Sequence, residues 1–94
     1  MASYVARMMD SATGAEGSYR FEHRDDLMKR PADDVVAAFF EHAEREVFSR
    51  GHVEYELNGV VKNKDQDTVV AIGSLRMQGD EAFQPFTIFI APAK

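Results

Sequence analysis

Apolar residues follow two rhythms along this chain. One has a period near four and marks a helix. Val36, Phe39, Phe40, Ala43 and Val47 fall at i, i+3, i+4, i+7 and i+11, the spacing of one buried stripe. Pro31 stands where this helix opens, a place where a missing N–H costs nothing. Asp33 and Asp34 suit the positive end of its dipole, and Gly51 is placed to cap its end in a left-handed conformation. Glu41–Arg45 and Glu46–Arg50 are i, i+4 pairs on the solvated side.

The other rhythm has a period of two and marks strands. Ser18 to Arg24 alternates cleanly, with Tyr19, Phe21 and His23 on one face. Residues 3–9 fit either a short helix or a strand. The polar stretch from Asp10 to Gly17, with its two glycines, favours the strand and a hairpin with the next segment. Asp25 to Arg30 is a connection. After the helix come Val53, Tyr55, Leu57 and Val61, then a polar turn from Asn63 to Asp67. Thr68 to Met77 follows, then a second turn at Gln78 to Ala82, then Phe86, Ile88 and Ile90 alternating with Thr87, Phe89 and Ala91. Pro85 suits a strand start or an edge, and Pro92 ends the run. The pattern predicts one α+β domain over residues 1–94, in the order ββαβββ. A single long helix packs on an antiparallel sheet of about five strands that ends in a three-stranded meander.

Register follows from keeping one face apolar. Pairing Val61 with Val69 sets Tyr55 opposite Leu75, Val53 opposite Met77, Glu54 opposite Arg76 and Val60 opposite Val70. Thr68–Met77 is then apolar on both faces for part of its length. Val69, Ala71, Gly73, Leu75 and Met77 face the helix, while Val70 and Ile72 face away. One helix covers one face, so Val70 and Ile72 need other cover. With Val60 and Phe89 they are expected to form an outer apolar patch, bordered by Glu54, Glu56, Arg76 and Lys62. An apolar centre with a polar rim has the composition of an interface. The plainer explanations are scattered exposed hydrophobes, or cover by a terminal segment.

Composition narrows the function classes. The 94 residues carry a net charge of −5 and no cysteine. Thiolate catalysis, disulfides and cysteine–metal sites are excluded. Basic residues are scattered among acids, unlike the basic surface that nucleic acid requires. No stretch approaches the roughly 18 apolar residues of a membrane span, and the first residues have no secretory pattern. A cytoplasmic protein is the expectation.

Candidate chemistry is thin. His52, Glu54 and Glu56 alternate on one strand face, and imidazole with carboxylates is acceptable zinc chemistry. Arg76 beside Glu54 opposes a cation there, so a solvated patch with a cross-strand ion pair is the simpler account. His23, near Glu22, Asp25 and Asp26, has the chemistry of a general base, but no nucleophile can be placed beside it. His42 and Glu46 read as an i, i+4 surface contact. Gly14 to Gly17 lacks the Lys-Ser/Thr of a phosphate loop. No cofactor is implied, and no motif identifies a family.

The leading expectation is a small non-enzymatic protein that forms a homodimer, or meets another protein, through Val60, Val70, Ile72, Phe89, Glu54 and Arg76. One alternative is a small-molecule module with a pocket between helix and sheet, lined by Tyr19, Tyr55, Phe39 and Met77. The other is an enzyme or metal site using His23 or His52, Glu54 and Glu56.

Overall fold

The computed structural model describes residues 1–10, 16–24, 26–48, 52–63 and 65–93. The order is ββαβββ: β1 (Ala2–Asp10), β2 (Glu16–His23), a 3-10 turn (Leu27–Lys29), α1 (Ala32–Glu46), β3 (Val53–Asn63), β4 (Thr68–Met77) and β5 (Gln84–Pro92). Residues 3–9 are therefore strand. The proposed Gly51 cap, the Glu46–Arg50 pair and most of the β1–β2 loop lie outside the described residues.

The five strands form one antiparallel sheet in the order β2-β1-β5-β4-β3. β1 and β5 close it, pairing from Tyr4–Pro92 to Asp10–Phe86. β1 thus ends opposite Phe86, and Pro85 lies beyond its reach. That explains how proline is tolerated near the start of a strand with neighbours on both sides.

α1 packs on one face. Val35, Val36, Phe39, Phe40 and Ala43 are its buried residues. Below them lie Tyr4, Ala6, Phe21, Val53, Val69, Ala71, Leu75, Phe86, Ile88 and Ile90. Aromatic rings run through this core in contact. Phe39 meets Phe21 edge-on at 5.7 Å and Phe40 at 5.4 Å, and Phe40 stacks on Tyr55 at 4.3 Å. Asp33 and Asp34 occupy the first turn, and Arg45 reaches Glu41 at 3.7 Å, as the spacing predicts.

The 3-10 turn makes the connection after β2 more than a loop. Its Leu27 is buried, and the Leu27 amide donates to the Tyr4 hydroxyl at 2.9 Å. The buried amide thereby finds its acceptor in a buried phenol oxygen.

Register departs from expectation at one place. Val53–Met77, Glu54–Arg76 and Tyr55–Leu75 pair as predicted. A bulge between Leu57 and Gly59 then shifts the ladder, so that Val60 pairs with Ala71 and Val61 with Val70. The expected Val60–Val70 and Val61–Val69 pairs do not form. One extra residue reverses the alternation beyond it. Val60 therefore turns inward against the core, and Val61 takes the outer position. Lys62 also leaves the outer rim, and its Nζ donates to the Arg30 carbonyl at 2.8 Å.

Candidate functional site

The outer sheet face is built from alternate residues of all five strands. Val61 of β3 lies opposite Val70, and Val70 opposite Phe89 of β5. Phe89 in turn faces Arg7 of β1. The next row runs from Gly59 through Ile72 and Thr87 to Met9. Val5 and Ala91 pair on the other side of Phe89. Val61 is 67% exposed, Ile72 52%, Phe89 48% and Met9 42%. These four are neighbours on one surface, not scattered singly. Beside Phe89, Arg7, Met9, Glu16, Thr68 and Thr87 line a shallow depression of about 350 Å³.

Charges flank the apolar rows in pairs. Arg76 Nη2 donates to Glu54 Oε2 at 2.7 Å, and its guanidinium lies 4.9 Å from the Phe83 ring centre. At the opposite side Arg7 meets Glu16 at 3.2 Å. The face carries three arginines (Arg7, Arg20, Arg76) and four glutamates (Glu16, Glu22, Glu54, Glu56). Most of the chain's excess negative charge of −5 is thus held elsewhere.

Five of the six interface candidates read from the sequence lie on this face: Val70, Ile72, Phe89, Glu54 and Arg76. Val60 does not. Val61, Met9 and Val5 belong to the surface and were not foreseen. The signal for Val61 was Asn58-Gly59 inside a strand pattern, since an isolated glycine there often marks a bulge. Met9 and Val5 join only because β1 lies beside β5.

The other candidate groups are placed apart. His52 Nδ1 bonds Glu44 Oε1 at 2.9 Å, while Glu54 is engaged by Arg76. Among the described residues no group of three His, Asp or Glu side chains is arranged to hold a metal ion. His23 lines a cleft of about 250 Å³ with Leu27, Arg30, Asp34, Ala37, Ala38 and Glu41, and that lining contains no hydroxyl or thiol. His42 lies against the Phe21 ring at 5.6 Å and lines, together with Glu46, an open cleft beside β2. Phe39 is fully buried with its ring 6.0 Å from Tyr19, and Met77 packs against the core. Tyr55 stacks on Phe40, so ring contacts fill the centre between helix and sheet, while an open cleft remains at the β2 edge beside Tyr19. Burial, then the Glu44 and Asp33 carboxylates, push the Tyr55 phenol above its ordinary value.

No family model matches this chain, no curated protein matches its sequence, and no solved structure matches its fold.

Proposed function

We propose that this protein is a non-enzymatic association module whose outer sheet face meets the same face of a second copy. The observation that supports it most is the contiguous row Val61, Val70, Phe89, flanked by Ile72 and Met9, with four of these side chains more than two-fifths exposed. Contiguous apolar surface of this kind marks association sites.

Two further features favour a copy of the same chain as the occupant. The face is close to neutral on an acidic molecule, so two copies meet there with little repulsion. Its size also fits. Five strands about 4.8 Å apart, each about nine residues long, span roughly 700 Å², near the ~800 Å² per partner of a standard interface. A two-fold axis is the common way to join such a face to itself. The proposal keeps the chain in the cytoplasm, where a cysteine-free sequence loses nothing to a reducing environment.

Sedimentation equilibrium at micromolar concentration tests this. Ile72→Asp places a charge in the centre of the patch at an exposed position, and it should halve the assembled mass with an unchanged far-UV spectrum. A variant with the wild-type mass, or a monomeric wild type, overturns the reading.

A further inference from the structure

β2 and β3 are the two edges of the sheet, and they differ. An exposed edge presents unpaired amides and carbonyls that can add another strand. β3 is broken by the bulge at Leu57–Gly59, a common way of blunting an edge. β2 has no such irregularity. All eight of its residues pair with β1 in one unbroken register, from Met9–Glu16 to Ala2–His23. Its outward edge is regular along the same length.

The side chains on that strand are self-complementary. Arg20 and Glu22 both lie on the outer face, two residues apart, on either side of Phe21. Among the described residues neither makes an ion pair or hydrogen bond through its side chain. If β2 meets an antiparallel copy of itself with the two-fold axis at Phe21, Arg20 of each copy lies directly opposite Glu22 of the other. Two reciprocal ion pairs form. On the inner face Tyr19 lies opposite His23 of the other copy. A shift of two residues in the pairing either way sets Arg20 against Arg20 or Glu22 against Glu22, and like charges directly opposite are unfavourable. A one-residue slip sets outer side chains against inner ones. Charge therefore excludes the neighbouring registers. A pairing centred on Ser18 would set Glu16 against Arg20, but Glu16 is already engaged by Arg7 at 3.2 Å.

There is room for this partner. An open cleft of about 740 Å³ runs beside β2 on the helix side, lined by Tyr19, Phe21, His42, Glu46 and Val47 among others. The inner side chains of a second β2 enter that space.

We infer that β2 pairs antiparallel with β2 of a second copy, about a two-fold axis at Phe21, making one sheet of ten strands. This contact is separate from the face-to-face contact proposed above. It leaves both outer faces on the same side, as one broader surface.

The test uses the full chain carrying Ile72→Asp, so that the face contact is removed first. In this background the protein should still sediment as a dimer. Adding Arg20→Glu, or adding Glu22→Arg, should each raise the dissociation constant about tenfold or more, through two like-charge contacts. Combining both changes in one chain should restore the dimer. Mixing the two singly reversed chains should give a heterodimer, since each then supplies the charges the other needs. The alternate β2 amides that point away from β1 should be protected from hydrogen exchange in the dimer and exposed in the monomer. A mass indifferent to both reversals overturns the inference, as does a monomer throughout. Protection of those outward amides that persists in a monomeric variant places another segment of the chain on the edge and also overturns it. Failure of the face contact alone reads differently: Ile72→Asp then leaves the wild-type mass, and the charge reversals still lower it.

Discussion

Gly73 lies beneath the backbone of Glu56 in the adjacent strand, so close that a Cβ at position 73 would collide with the Glu56 carbonyl oxygen. Gly73 pairs with Leu57, the last residue before the β3 bulge. The missing side chain lets the bulged strand approach, and the bulge then decides which residues of β3 face outward. Gly73→Ala should destabilise the protein by about 2 kcal/mol or more, since the obstructing atom is backbone and cannot turn aside. Gly59→Ala is the contrast. Its Cβ would meet only the Ile72 side chain, with Cγ1 nearest at 3.5 Å, an ordinary contact. That variant should be neutral, or more stable by up to about 1 kcal/mol. Urea midpoints of the two variants check both.

The bulge makes neighbouring valines behave differently. Val60→Asp puts a carboxylate against the core and should cost about 1–3 kcal/mol. Val61→Asp alters a residue 67% exposed, and its stability should stay within about 0.5 kcal/mol of wild type. Its assembled mass should fall instead. Denaturation and sedimentation of the same pair separate the two effects, and a reversed result would place the bulge elsewhere.

Glu44 ties the end of α1 to the start of β3. Its Oε1 accepts from the Val53 amide at 2.8 Å and from His52 Nδ1 at 2.9 Å. Glu44→Ala should cost about 1–2 kcal/mol by leaving the amide of a buried residue without its acceptor. His52→Ala removes only an exposed partner and should cost a few tenths, about 0.5 kcal/mol at most. Comparing the two midpoints distinguishes the backbone anchor from the surface imidazole contact.

Tyr55 makes stability depend on alkaline pH. Burial, with Glu44 and Asp33 nearby, raises its folded-state value above the unfolded one. The unfolded chain therefore loses this proton first. Its contribution is fully present below the ordinary tyrosine value of about 10 and is lost as pH rises through the folded value. Tyr55→Phe should lose less stability than wild type between neutral pH and that alkaline window. Urea titrations at the two pH values measure the difference. Parallel slopes in the two proteins would contradict it.

Much of the molecule is legible along the chain because its signals are local. Val36, Phe39, Phe40 and Ala43 recur at helical spacing and are buried where that spacing puts them. Tyr19 and Phe21 alternate with polar residues, and β2 is a strand. The first half of the β3–β4 register follows from the need to keep Val53, Tyr55, Leu75 and Met77 on one side. The two-sided character of Thr68–Met77 is equally plain, and Ile72 is indeed exposed.

The sequence by itself determined the element types, the ββαβββ order, the buried helix stripe and most of the outer patch. Each rests on a periodicity carried by residues a few positions apart. The tertiary structure alone decided that β1 lies against β5, which brings Met9 and Val5 beside Phe89. It also decided that Val61, not Val60, completes the outer row. Both outcomes depend on backbone pairing between segments distant in the chain. Strand order leaves no mark on local alternation, and a bulge becomes certain only where a facing strand, here at Gly73, has the space to admit it.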